Sequence, residues 1–225
     1  MEHMMNKTPI TVATTVFAAL AMSANADHVA ASALSAGASS AQLDLGDVTL
    51  DIQANNGAFR SKTIAGYHMM GIKGGHVSGE IDATESMDFF FSNAVRVTSL
   101  ELGALFVNGQ HGDRVYERAF VTINDQHHFE LALTSPTSAS WNGLGNVVAL
   151  SQGLERSAGY FRIAGDDIFG MDVNQMTLWA PQEEARGGRG SDYAFGGMTT
   201  ASIPAPGAIA LVGLGGALFT RRKRA

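Results

Sequence analysis

Hydrophobic residues in the middle of the chain recur at every second position, the spacing of a β-strand with one buried face. The stretch QLDLGDVTLDI at residues 42–52 shows this spacing, and Gly46 within it predicts a bulge or bend. Other segments rich in β-forming residues predict further strands. They lie at residues 87–91, 95–102, 115–124, 129–133, 146–150, 160–163 and 176–180, and residues 192–200 fit a last strand.

Turn-forming residues separate these segments about every ten residues, for example Asn93, Asn108-Gly109 and Asn142-Gly143. No helical pattern of ten or more residues is present in this region. The spacing predicts an all-β fold, a single β-sandwich of jelly-roll type at residues 42–200. The expected core consists of Phe89, Phe91, Val97, Leu100, Leu102, Val121, Ile123, Leu131, Leu133, Phe161 and Ile163.

The N-terminus has the pattern of a secretory signal peptide. Residues 10–22 form a 13-residue apolar stretch after Lys7, too short to span a bilayer. Ala24 and Ala26 then place small residues where a signal peptidase reads them, so residues 1–26 are predicted to be a signal helix cleaved after Ala26. Residues 27–41, rich in Ala and Ser, are expected to be a flexible leader or a short helix.

The C-terminus, IPAPGAIALVGLGGALFTRRKRA at residues 203–225, combines three parts. Pro204 and Pro206 precede an apolar run that begins at Gly207. As a helix, residues 207–220 would rise about 21 Å against a hydrocarbon core of roughly 30 Å. The basic residues that follow favour a cytoplasmic C-terminus; they are Arg221, Arg222, Lys223 and Arg224. The segment therefore suits transient insertion in a membrane better than a permanent span.

This order of parts resembles the PEP-CTERM sorting signal of Gram-negative bacteria, with Ala205 in place of the usual Glu. The resemblance implies a hydrophobic sorting helix that an exosortase recognises and cleaves in the inner membrane. It also implies release or attachment at the cell surface, the outer envelope or the extracellular matrix. The alternative is an ordinary C-terminal anchor.

The body of the chain carries a second resemblance. Residues 70–106, MGIKGGHVSGEIDATESMDFFFSNAVRVTSLELGALF, are similar to a region common in PEP-CTERM proteins. A glycine-rich turn there leads into Gly-Glu-Ile-Asp and then into alternating strands. The resemblance implies a jelly-roll sandwich and an exported location, and it implies no activity.

Charge and cysteine content narrow the functions further. The chain has 225 residues, a net charge of −6 and no cysteine, so disulfides and thiolate chemistry are excluded. Without the basic tail, Glu2 and Lys7, ten basic and twenty acidic residues remain. A body this acidic repels nucleic acid and anionic lipid and suits neutral glycans or cations.

One acidic stretch suggests a metal site. Glu80, Asp82 and Glu85 follow Gly79, with Asp88 close behind, and clustered carboxylates are ligands that Ca²⁺ prefers. Calcium is thus the one cofactor that the sequence suggests, at Glu80, Asp82 and Glu85. The alternative is a solvated acidic loop. His127-His128 is expected in an exposed turn, because neighbouring residues of a strand point to opposite faces.

Motifs of catalysis are absent, with no Gly-x-Ser-x-Gly elbow, His-Glu-x-x-His helix or P-loop. Trp141, in SASWNG beside turn residues, is a candidate glycan contact, with core packing as its alternative. Trp179 is expected to pack in the core or at an edge. The sequence thus predicts a non-catalytic surface or matrix protein associated with exopolysaccharide or biofilm. The alternatives are a carbohydrate-binding module, with or without calcium, and then a polysaccharide-acting enzyme.

Overall fold

The computed structural model describes residues 26–82, 84–110, 114–151, 158–181 and 190–203. Within these ranges the chain is all-β, as predicted, and its one helix is the 3-10 turn Ala31–Ala33. The strands are β1 (Ala26–Ala30), β2 (Ser40–Asp44), β3 (Thr49–Asn55), β4 (Ala58–Ile64), β5 (Tyr67–Lys73), β6 (Ser86–Leu105), β7 (Arg118–Ile123), β8 (His127–Ser135), β9 (Ser138–Trp141), β10 (Asn146–Ala149), β11 (Gly159–Ala164), β12 (Val173–Trp179) and β13 (Ala194–Ser202).

The strands form one curled antiparallel sheet around β6, which is twenty residues long. The first half of β6 pairs with β3 and β12, and β2, β7, β8 and β9 extend this part, called here the β12 wing. The second half pairs with β13 and β11, and β1, β4, β5 and β10 extend this part, called here the β13 wing. One strand therefore belongs to both wings.

The inner faces of the two wings share one hydrophobic core. Phe89 of β6 and Phe195 of β13 meet across it with ring centroids 5.2 Å apart. All eleven residues predicted for the core are buried. Burying a large apolar side chain contributes about 1.5–3 kcal/mol, so this shared core is what closes the sheet on itself.

Most of the predicted strands are confirmed, with two differences. Segments 87–91 and 95–102 are parts of the single strand β6. Segment 42–52 is a hairpin of β2 and β3 and not one bent strand. The chain reverses at Gly46, whose φ is +76° and whose N–H bonds to Asp44 Oδ1 at 2.9 Å. Apolar and polar residues alternate in both β2 and β3, so the sequence pattern alone does not reveal the turn between them.

The leader predicted to be flexible at residues 27–41 is part of the folded sheet, which corrects that prediction. β1 pairs with β13 from Ala26 to Ala30. Val29, Ala31 and Leu34 are buried in the core, so this stretch is held by apolar contacts as well as by its ladder. Ala26, the last residue of the predicted signal peptide, is the first residue of β1.

The other terminal predictions fall outside the described residues. This applies to the signal helix with Ala24 and to the sorting segment with Pro204, Pro206, Gly207, Arg221, Arg222, Lys223 and Arg224. Within the described ranges, no helix has the length and hydropathy needed to span a bilayer.

Candidate functional site

The outer surface of the β12 wing carries a patch of aromatic and polar side chains, called here the aromatic face. Strict alternation produces it, because Ala119, Val121 and Ile123 point into the core and leave Phe120 and Thr122 outside. In β12 and at Ala180 just after it, burial of Met176, Leu178 and Ala180 likewise leaves Thr177 and Trp179 outside. The face comprises Gln53, Asn55, Ser86, Asp88, Arg118, Phe120, Thr122, His128, Glu130, Thr177 and Trp179.

The strand register arranges the aromatic face in two rows that cross five strands. One row runs through Asn55, Ser86, Trp179, Phe120 and Glu130. The second runs parallel to it; it consists of Gln53, Asp88, Thr177, Thr122 and His128. At ~4.8 Å between strands, each row is about 19 Å long.

Trp179 and Phe120 form the centre of the face. Their rings lie 5.0 Å apart at an interplanar angle of 37°, and both are partly exposed. The indole Nε1 of Trp179 donates to Thr122 Oγ1 at 2.9 Å, which fixes the indole plane. The Arg118 guanidinium lies 5.2 Å from the centre of the Phe120 ring. The two rings thus make a rigid apolar platform of the kind that stacks on a sugar ring.

Polar groups flank the platform on both sides. Arg118 Nη1 lies 3.3 Å from Glu130 Oε1, and their side chains keep 34% and 30% exposure. On the other side, Asn55 Nδ2 donates to Ser86 Oγ at 2.8 Å and to Asp88 Oδ2 at 2.6 Å. These side chains hold donors and acceptors in fixed positions beside an apolar surface, which suits a ligand rich in hydroxyl groups.

The backbone beneath the platform is anchored by the segment that precedes β13. The buried Tyr193 hydroxyl shares its single proton between the carbonyl oxygens of Phe120 at 2.8 Å and of Trp179 at 3.0 Å. Ser191 Oγ accepts the Arg118 N–H at 3.1 Å. Side chains of residues 191 and 193 therefore hold the main chain at three residues of the aromatic face.

A second group of polar side chains, called here the acid cluster, lies behind this anchor, and all of its members except the partly exposed Lys62 are buried. It comprises Lys62 of β4, Glu80, Asp82 and Glu85 between β5 and β6, Glu117 before β7, and Asp192 before β13. Two bridges bring these segments together, between Ile72 and Glu80 and between Ile81 and Tyr193.

Backbone N–H groups donate hydrogen bonds to the carboxylates of Asp82 and Glu85. Asp82 Oδ2 accepts from the N–H groups of His76 and Val77, and its Oδ1 accepts from Thr84 N at 3.2 Å. Glu85 accepts from Gly75 N at 2.6 Å and Asp82 N at 3.3 Å. A Cβ at Gly75 would collide with the Asp82 carboxylate, so glycine is required there. Burial nevertheless raises the pKa of Glu85 to about 7.

Glu80, only 1% exposed, forms an ion pair with Lys62. Burial lowers the pKa of Lys62, and the charges of Asp192 and Glu117 oppose that shift. Burial also raises the pKa of Asp192 to about 7, against the effects of Lys62 and of a hydrogen bond with Glu117. A hydrogen bond between two carboxyl groups requires a proton on one of them. The cluster is therefore a buried, proton-sharing network around one lysine.

Of the three predicted calcium ligands, Asp82 and Glu85 lie together, since the Asp82 N–H donates to Glu85, whereas Glu80 pairs with Lys62. All three are buried, so the alternative of a solvated loop is wrong for them. Their oxygens face N–H donors and the Lys62 ammonium. Across the described part of the chain, no three His, Asp or Glu side chains are arranged to hold a metal ion. The acid cluster is a network of hydrogen bonds and one ion pair.

Trp141, the predicted glycan contact, lies on the core side of β9. Its ring stacks on Phe129 at 5.6 Å and 20° and meets Phe169 edge-on at 5.8 Å. Its Nε1 donates to the Ile168 carbonyl at 3.4 Å. These contacts fit core packing, the alternative role considered for Trp141. His127 and His128 are exposed, as expected, but they are the first two residues of strand β8 and do not lie in the turn at residues 124–126.

The sequence did contain a signal for the aromatic face. The run MTLWA at residues 176–180 alternates, and its buried members place Trp179 on the opposite, outer side. Asp192 offered no such signal, because it follows a polar, glycine-rich stretch and is buried only by segments distant in sequence.

Comparisons with known proteins identify no family for this chain. No family model and no curated protein matches it. One solved structure resembles it distantly, the catalytic unit of the thermostable GH87 alpha-1,3-glucanase from Streptomyces thermodiastaticus strain HF3-3. The match has 14% identity and a TM-score of 0.36, and it covers 81% of this chain and 27% of that one. A likeness this weak carries no argument about fold or activity.

Proposed function

We propose that this protein is an exported, non-catalytic surface protein that binds polysaccharide on its aromatic face. In this proposal the curled sheet is a β-sandwich of jelly-roll type. The protein is delivered by a signal peptide and a PEP-CTERM-like sorting segment to the surface, outer envelope or matrix of a Gram-negative bacterium. Its partners are signal peptidase and exosortase during export, and exopolysaccharide or biofilm matrix afterwards.

The binding proposal depends on one observation, the platform that Trp179 and Phe120 form on the outer surface of the β12 wing. Both rings are partly exposed, hydrogen-bonded or packed into fixed orientations, and flanked by Arg118, Glu130 and Asn55. A partly exposed aromatic pair with fixed polar neighbours gives the stacking and hydroxyl contacts that bind sugars. The acidic body, which repels anionic polymers, favours a neutral glycan as the ligand.

The absence of catalysis is part of the proposal. The carboxyl groups with raised pKa, Glu85 and Asp192, belong to side chains that are 3% and 5% exposed. The acid cluster also shares its protons internally. Neither carboxyl group is placed to meet a glycosidic bond at the surface, whereas hydrolysis of such a bond requires carboxyl groups on both sides of it.

The binding proposal predicts that Phe120→Ala weakens binding to neutral polysaccharide by roughly tenfold, the effect of losing about 1.4 kcal/mol of contact. Affinity electrophoresis with a panel of neutral and acidic polysaccharides measures this, with and without EDTA. Val148→Ser is the matched control, because Val148 is 49% exposed on the other wing. If the protein binds none of the glycans, the proposed binding function is wrong. If EDTA abolishes binding, calcium is required for polysaccharide binding.

The export proposal predicts that replacing Arg221, Arg222, Lys223 and Arg224 by glutamine leaves the precursor unprocessed or misoriented, because the basic tail fixes the cytoplasmic side. Intact-mass measurement of protein from the envelope and medium checks this. A control with the exposed Arg60 and Arg114 changed to glutamine should mature normally. Normal maturation of the tail variant would argue against the sorting signal.

A further inference from the structure

Three consecutive residues join the aromatic face to the acid cluster. Ser191 and Tyr193 hold the main chain at Arg118, Phe120 and Trp179 through hydrogen bonds of 2.8–3.1 Å. Asp192, between them, belongs to the acid cluster, where its carboxyl group hydrogen-bonds to Glu117. The segment that positions the platform is thus itself held by an ionisable side chain.

We propose that Asp192 couples pH to the glycan platform, so that its ionisation loosens segment 191–193 and weakens binding at the aromatic face. This inference rests on the proposed glycan-binding function and adds its regulation. Asp192, Ser191 and Tyr193 act here as positioning residues, through the main chain of Phe120 and Trp179.

The charges around Asp192 determine the direction of the effect. Burial and Asp82 in the β5–β6 segment oppose its ionisation, whereas Lys62 of β4 and the hydrogen bond with Glu117 before β7 favour it. Lys62 is already paired with Glu80, and Glu85 and the His76 N–H lie around Asp82. Burial and the Asp82 carboxylate outweigh Lys62 and Glu117, so an ionised Asp192 is repelled by Asp82 in a buried site where water screens little. The repulsion pushes segment 191–193 away from its partners.

The pH range follows from the same network. Burial raises the pKa of Asp192 to about 7, from about 3.9 for an unperturbed Asp. A raised carboxyl pKa means that the folded state binds the proton more tightly than the unfolded state. The stability this gives is fully present below about pH 4 and is lost as pH rises through about 7. We therefore expect a held platform in mildly acidic medium and a looser one above neutrality.

Trp179 reports on the platform directly, without any ligand. The chain has two tryptophans, so the full chain with Trp141→Phe leaves Trp179 as the single indole fluorophore. Its emission, followed from pH 5 to pH 9, is expected to change with a midpoint near 7. Adding Asp192→Asn should remove the change. Glu85→Gln should retain it, which separates Asp192 from the other carboxyl group of the acid cluster whose pKa is raised to about 7.

Binding of a neutral polysaccharide is then measured on the same proteins. If the competent platform falls to a third of the population, affinity at pH 8.5 is about threefold weaker than at pH 6. Tyr193→Phe keeps Asp192 but removes both hydrogen bonds to the platform, and it should flatten the emission change even if the Asp192 variant folds poorly. An emission change that persists unaltered in both variants, or its absence in the parent, overturns the coupling. An emission change without glycan binding at any pH overturns the binding function and leaves the link from Asp192 to Trp179 standing.

Discussion

Replacement of Trp179 by alanine is expected to reduce polysaccharide binding by roughly thirtyfold, about 2 kcal/mol, while the fold persists. The indole is the largest ring of the platform, and Thr122 fixes its plane. Its removal costs the fold only a partly exposed ring contact with Phe120 and one hydrogen bond. Calorimetric titration with the polysaccharide that binds the wild-type protein gives the affinity, and thermal unfolding gives the stability.

Trp141→Ala is the matched control, with the opposite expectation. Its ring packs with Phe129 and Phe169 on the core side, so the substitution should lower the unfolding free energy by about 2–3 kcal/mol. Folded protein should still bind polysaccharide with nearly unchanged affinity. If Trp141→Ala removes binding and Trp179→Ala does not, the platform lies elsewhere and the sequence-based choice of Trp141 was correct.

Replacement of Lys62 by methionine is expected to lower the unfolding free energy by about 3 kcal/mol near pH 8, because breaking a buried ion pair leaves an uncompensated charge. Glu80 is 1% exposed, whereas the Lys62 side chain keeps 24% exposure. In a domain of this size the loss lowers the melting temperature by roughly 10 °C. The deficit should shrink at pH 5, where a carboxylate deprived of its cation takes up a proton.

The double variant Lys62→Met with Glu80→Gln tests whether the uncompensated charge of Glu80 causes the loss of stability. Once the charge is removed from both partners, most of the stability should return. Differential scanning calorimetry at pH 5 and pH 8 on the single and double variants gives the comparison. A single variant as stable as the wild-type protein at pH 8 would show that the Lys62–Glu80 pair contributes nothing to the fold.

The all-β class and the core were predictable because they depend on local alternation. Phe89, Val121 and Leu131 each lie in a short run whose period of two is visible in the sequence. Strands β4 and β5 were missed because the period fails there. AFRSKTI is mostly polar, and β5 has four consecutive buried residues, Met69 to Ile72, that face two different clusters.

The candidate site was less predictable, since it depends on register between distant strands. Phe120 and Trp179 are 59 positions apart in the sequence, and only the pairing of β7 with β12 makes them neighbours. Glu80, Asp82 and Glu85 were recognised as a group from their spacing. Their burial was not, because Lys62, Glu117 and Asp192 come from three other parts of the chain.

The pairing of β1 with β13 places Ala26 opposite Ala201, so the described chain enters and leaves at one corner. Tyr193, beneath Phe120 and Trp179, precedes the opposite end of β13. Nine residues of strand measure about 30 Å. If either terminus were fastened to a surface, the domain would stand off from that surface by this length and hold its aromatic rings outward, within reach of polymers in the surrounding medium.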